Sequence, residues 1–186
     1  MTADEGAGDT GASGQPTTDE PQSAMQFSSR GNTRWIVLRG PKGRALDRAI
    51  VRLTGRSVIT WQYSKAGGNA YQPTLLLTTI GRHTGQLRER ALPYYPDGDR
   101  MVVIGSNGGG PRDPDWVWNV RANPAAWVRV NRRALPVVAH VAEGQEHDRL
   151  FAQITEGRDS LARYQERAST FGRTVPLVVL EPRTSR

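Results

Sequence analysis

From residue 74 to residue 181 the apolar side chains fall into six short runs, 74–79, 88–95, 101–106, 127–130, 134–141 and 175–181, with turn residues between them. Runs of this length match strands rather than helices. Pro96-Asp97-Gly98-Asp99 and Asn131-Arg132 join neighbouring runs so tightly that those pairs must be antiparallel hairpins. Regular crossover helices, which a doubly wound parallel sheet requires, are missing. The expected fold is therefore mainly β with peripheral helices, an α+β chain built on a small barrel. A GxGxxG dinucleotide site belongs to the parallel sheet and is excluded with it.

Helical stretches interrupt and precede these runs. Asp113-Pro114 reads as an N-cap followed by proline at the first helical position, opening a short helix over 116–121 that Asn123-Pro124 closes. Segment 145–157 puts Leu150, Phe151 and Ile154 on one face, and 159–168 is a second helical piece. Upstream, Leu46, Ala49, Ile50 and Leu53 fall at i, i+3, i+4 and i+7, while Arg44, Arg48, Arg52 and Arg56 recur every four residues. This is either a helix packed on the domain with a solvated charged face, or one lying on an anionic membrane surface. Gly67-Gly68-Asn69 marks a loop. The expected organisation is an acidic tail over 1–24, a helical and linker segment over 25–72, and a barrel domain over 73–186.

The tail holds Asp4, Glu5, Asp9, Asp19 and Glu20, no Lys or Arg, and many Gly, Ser, Thr and Pro. Too little apolar surface is present to offset the entropy of ordering it, so disorder is expected. It also lacks the basic start and apolar stretch of a secretory leader, so a cytoplasmic location is expected, peripheral at the inner face of the cell membrane if the arginine helix binds lipid. Removing these five acids from the chain's 18 leaves 25 basic side chains against 13 acidic, a net charge of about +12. Such a charge calls for an anionic partner: nucleic acid, an anionic membrane or a polyanionic small molecule. Only Lys42 and Lys65 are lysines. The arginines offer planar donor forks suited to phosphate and carboxylate, although codon bias alone also yields such a composition. With no cysteine, disulfides and thiolate chemistry are excluded, and His83, His140 and His147 lack metal-ligand spacing, so no metal site is expected. No apolar run is long enough to span a bilayer.

Three segments carry recognisable chemistry. Gly81-Arg82-His83-Thr84-Gly85-Gln86-Leu87-Arg88 follows the first strand. Two glycines allow a tight turn that exposes backbone N–H groups, with Arg82, Thr84, Arg88 and His83 converging on one anion; an ordinary basic hairpin loop is the alternative. Ile104-Gly105-Ser106-Asn107-Gly108-Gly109-Gly110 leaves a strand into glycines, so either a flat ligand approaches the backbone there or the loop is a flexible surface connection. Asp115-Trp116-Val117-Trp118-Asn119 opens the short helix, with tryptophans that either stack on a ring or fill core.

In this order and spacing, "LLLTTIGRHTGQLRERALPYY", "MVVIGSNGGGPRDPDWVWNVRANP", "RYQ" and "VPLVVLEP" resemble the deazaflavin-dependent nitroreductase and quinone reductase family over residues 73–182. The resemblance implies a split β-barrel of the FMN-binding type and coenzyme F-420, an 8-hydroxy-5-deazaflavin carrying a phosphate and a γ-glutamyl tail. It implies that Arg82, His83, Thr84 and Arg88 hold the phosphate and tail, that Ile104, Gly105, Ser106 and Asn107 lie along the ring, and that Asp115, Trp116, Val117, Trp118 and Asn119 contact its other side. The reaction implied is hydride transfer to a small-molecule acceptor, a quinone, an activated alkene or a nitro compound, with a proton from Tyr164, Ser106 or water.

The chain departs from the family pattern at three places. Asn107 stands where lysine is frequent, and His83 occupies a position often held by a fixed cation. Arg158, Leu161 and Tyr164 stand where nitroreductases of the family carry tyrosines three apart, so nitroimidazole reduction is not implied. FMN on the same barrel is the alternative cofactor. A nucleic-acid module is the alternative function, although Trp116 and Trp118 fall on a helix rather than on a basic sheet face, so no nucleic acid is expected. The oligomeric state is left open.

Overall fold

The computed structural model describes residues 38, 40–66, 70–156 and 159–183; the acidic tail, the Gly67-Gly68-Asn69 loop and Arg158 lie outside them. Six strands, β1 (Thr74–Ile80), β2 (Leu87–Asp97), β3 (Arg100–Ile104), β4 (Ala125–Val130), β5 (Arg133–Val141) and β6 (Leu177–Pro182), close into one antiparallel barrel in the order β1-β2-β3-β6-β5-β4. The expected antiparallel barrel with peripheral helices is the fold observed. β1 pairs with β2 on one side, Leu77 opposite Arg90, and with β4 on the other, Leu77 opposite Val128.

Alternation sets the core. Leu75, Leu77, Val103, Val128, Val137, Val178 and Leu180 point inward, and Trp116, Val117 and Val120 plug the barrel from α3 (Asp115–Ala122). Leu177 and Val179 point outward, where α4 (Gly144–Thr155) and α5 (Asp159–Ser169) cover them with Leu150, Ile154, Leu161 and Ala168. β6 is thus buried on both faces, which is why its sequence is an unbroken apolar run.

The upstream helix, α1 (Gly40–Thr54), forms as its periodicity predicts but packs by a different face. Its buried residues are Gly43, Asp47 and Val51, whereas Leu46 is 52% exposed and Leu53 73% exposed. The reason is Asp47. Its carboxylate accepts the Ser57 hydroxyl at 2.8 Å and the Ile59 N–H at 3.0 Å, while Ser57 Oγ accepts the Thr60 N–H at 2.9 Å. These bonds cap α2 (Val58–Ala66), a second upstream helix that the apolar pattern did not reveal. A satisfied buried carboxylate orients α1 where an apolar count points elsewhere.

Candidate active site

The Gly81–Arg88 segment is the β1–β2 hairpin loop. Its backbone is turned inward: the Gly81 N–H donates to Gln86 O at 2.8 Å, Gly85 N–H to Gly81 O at 2.8 Å and Thr84 N–H to Gly81 O at 3.2 Å. The Arg82 N–H donates to Asn119 Oδ1 at 3.0 Å. The expectation that this turn offers its amides to an anion is therefore corrected, since those N–H groups close the turn itself. Arg82, His83, Thr84 and Arg88 are exposed, so anion recognition falls to side chains. Gly85 sits at φ +68°, a left-handed conformation suited to glycine.

Asn119 is the pin beneath this turn. Only 5% exposed, it accepts the Arg82 N–H and donates through Nδ2 to Thr79 Oγ1 at 3.1 Å, tying α3 to the end of β1. Its amide is committed on both sides, so it positions the turn instead of touching a ligand from the cleft. Trp116 and Val117 belong to the barrel core, which also corrects their assignment as ring contacts. Trp118 is 43% exposed; the Arg121 guanidinium lies over its ring at 4.6 Å and that of Arg82 at 5.9 Å. Asp115, exposed at the start of α3, pairs with Arg82 at 3.5 Å.

The glycine loop is built differently from the sequence expectation. A Cβ on Gly105 would lie 2.7 Å from Pro176 Cγ and 2.8 Å from Val117 Cγ2, and one on Gly109 2.8 Å from Arg167 Cβ. These two glycines admit neighbouring protein, not a ligand ring. Ser106 is half-buried and Ile104 packs against the outer core, while the Asn107 side chain donates to Arg112 O at 3.0 Å across the loop. Arg173, which sequence reasoning missed, clamps the loop. Its guanidinium donates to Gly105 O at 2.8 Å, to Ser106 O at 2.9 Å and to Gly110 O at 3.1 Å, and pairs with Asp113 at 2.9 Å. Asp113 also pairs with Arg121 at 2.7 Å, so it serves the two arginines and Pro114 stands at the helix cap in its place. No local pattern betrays Arg173, whose partners lie some sixty residues upstream. Arg90 was also missed, although its i, i+2 spacing from Arg88 places both on one strand face.

Arg82, Pro111, Arg112, Asp113, Asp115, Trp118 and Arg173 line one cleft of about 480 Å³. The anion turn, the exit of the glycine loop and the start of α3 meet there. Exposed guanidinium groups beside an exposed indole fit a flat aromatic ligand that carries anionic groups. Tyr164 stands apart from this lining, on α5, packed against the outer core. Burial, with Tyr63 and Tyr95 acting in the same direction, pushes its phenol up to about 12, so it stays protonated at neutral pH.

A profile of the F-420H(2)-dependent quinone reductase family matches residues 51–182. The chain belongs to that family. An F-420H(2)-dependent quinone reductase of Mycobacterium tuberculosis is 36% identical to it over 113 residues, 60% of this chain and 74% of the relative. A solved F-420-H2 dependent reductase is similar with a TM-score of 0.52 at 30% identity, covering 59% of this chain and 94% of the other. A second structure, described as a domain-swapped dimer, gives a TM-score of 0.54 at 26% identity over 74% of this chain and 96% of its own. As a member of the quinone reductase family the protein is an oxidoreductase dependent on coenzyme F-420, which decides for the deazaflavin over FMN. Among the described residues no helix is long and apolar enough to cross a membrane.

Proposed function

We propose that this F-420-dependent reductase reduces a quinone by two electrons, holding the cofactor's phosphate and acidic tail with the side chains of Arg82, His83, Thr84 and Arg88. The observation that carries this reading is the meeting of the anion turn and the start of α3 around one cleft exposing Arg82 and Trp118. When bound, reduced F-420 supplies a hydride from C5. The chain's own work is positioning. Asn119 fixes the turn, Asp115 orients Arg82, and Arg173 holds the strand exit at Ile104, Gly105, Ser106 and Asn107 in one shape against the ring. Reducing a quinone to a hydroquinone also takes up protons, and Ser106, the protonated Tyr164 or water are the candidates to deliver the first. Activated alkenes and nitro compounds are further acceptors of the same two-electron chemistry.

Titrating the protein with F-420 by fluorescence, with FMN in parallel, tests the cofactor site. Saturable binding of the deazaflavin that is lost in Arg88→Ala supports the turn assignment, and binding unaffected by that change refutes it. A screen of quinones, alkenes and nitro compounds then ranks the acceptors.

A second reading concerns location. Exposed Leu46, Leu53 and Trp61, with Arg56 beside them, form an unpartnered apolar surface suited to peripheral contact with an anionic membrane at its cytoplasmic face. Co-sedimentation with anionic but not neutral vesicles, abolished by Leu46→Gln with Leu53→Gln, is the expected result; no sedimentation with either removes this reading.

A further inference from the structure

Resting on the assignment of the turn to the cofactor's phosphate, we propose that Arg44 and Arg48 of α1, with Arg90 of β2, form a second anion subsite that takes the distal carboxylates of the γ-glutamyl tail.

The geometry begins with α1. Its packed face is Gly43, Asp47 and Val51, and at about 3.6 residues per turn Arg44, Arg48 and Arg52 share one flank while Leu46 and Leu53 occupy the other. The ion pair between Arg52 and Glu89, at 2.9 Å, shows that the arginine flank is the one directed at β2. Glu89 is flanked in sequence by Arg88 and Arg90, which project from the opposite strand face. β2 pairs with β1 from Leu87 to Pro93 but with β3 only from Tyr94 to Asp97. The stretch bearing Arg88 and Arg90 therefore has one edge unoccupied by any strand of the barrel, beside a basic helix flank.

Charge gives this edge a purpose. Arg52 is neutralised by Glu89, but among the ion pairs of the described residues none includes Arg44, Arg48, Arg88 or Arg90. The four act as one cluster: the Arg90 guanidinium is held below its ordinary value first by partial burial and then by the charges of Arg44, Arg48 and Arg88. Gathering like charges is unfavourable until an anion joins them. Asp115 is the carboxylate that acts on Arg90 from the other side, and it also pairs with Arg82. The cluster is thus continuous with the phosphate turn, and a ligand whose phosphate sits at Arg82 and Arg88 extends its tail along the edge of β2 toward α1. A row of carboxylates spaced along a flexible chain matches guanidinium groups spaced along a helix flank.

The test compares F-420 carrying one γ-glutamyl residue with F-420 carrying a long oligo-γ-glutamyl tail, by fluorescence titration of the full chain at low salt. The natural sequence is expected to bind the long-tailed form at least about ten-fold more tightly. Arg44→Gln with Arg48→Gln should abolish that advantage and leave the one-glutamyl affinity unchanged, which also serves as the folding control. Arg52→Gln, on the same flank but already paired, should retain the advantage. Equal binding of both forms by the natural sequence, or an undiminished advantage in the double variant, overturns the subsite while leaving the turn assignment standing. Failure of the natural sequence to bind either form overturns both.

Discussion

Arg173 and Asp113, sixty positions apart in the chain, form an ion pair at 2.9 Å in which each side chain is only 9% exposed. The same guanidinium satisfies three backbone carbonyls of the glycine loop, so one side chain fixes the loop, the start of α3 and the lead into β6 relative to one another.

Replacing Arg173 by methionine leaves the Asp113 carboxylate with Arg121 alone and three loop carbonyls without their donor. The loss expected is about 3–5 kcal/mol of folding stability, the range for breaking a buried pair from one side. Urea unfolding at neutral pH measures it. A loss below about 1 kcal/mol would show the clamp to be energetically idle.

Asn119→Ala removes an amide that is bonded on both sides, leaving the Arg82 N–H and Thr79 hydroxyl unpaired. A destabilisation of about 1–3 kcal/mol is expected. F-420 affinity should fall as well, because the turn is no longer held in one geometry. Asn119→Asp keeps the acceptor for the Arg82 N–H and should restore more of the affinity than alanine does.

Arg82→Ala and Arg88→Ala each remove one charge-assisted contact from an exposed turn. Each should weaken F-420 binding by about 1.5–3 kcal/mol, roughly ten- to a hundred-fold in Kd, with thermal stability nearly unchanged. Isothermal or fluorescence titration alongside a thermal melt separates the two effects.

Asp97, in the β2–β3 turn, accepts hydrogen bonds from Arg149 at 2.9 Å and from Arg100, and these hold its carboxyl down at about 2. A depressed carboxylate stabilises the fold above its ordinary pKa, and that contribution disappears as pH falls from about 4 through 2. Part of the shift is screened at the exposed Arg149, so about 1 kcal/mol is expected. Denaturant unfolding from pH 6 to pH 2.5 should show Asp97→Asn losing less stability on acidification than the natural sequence.

Much of this was legible in the chain. Strand runs, hairpin turns and the absence of crossover helices led to the barrel because period-two patterning is a local property. The anion turn was legible for the same reason, its glycines and arginines being adjacent in sequence. Long-range partners defeated the reading elsewhere. Gly105 resembles a ligand platform until Pro176 and Val117 are seen against it. Asn119 resembles a contact residue until its amide is found bonded to both Arg82 and Thr79. On α1, a buried aspartate decided which face packs, an outcome that a count of apolar positions cannot register.

β6 closes the barrel between β3 and β5 and is the last strand to leave the ribosome. Until residues 177–182 emerge, the nascent barrel has two open strand edges and an inner face without Val178 and Leu180. Chains interrupted before this point present edges ready to pair with one another, so premature termination should yield aggregates instead of a smaller folded domain.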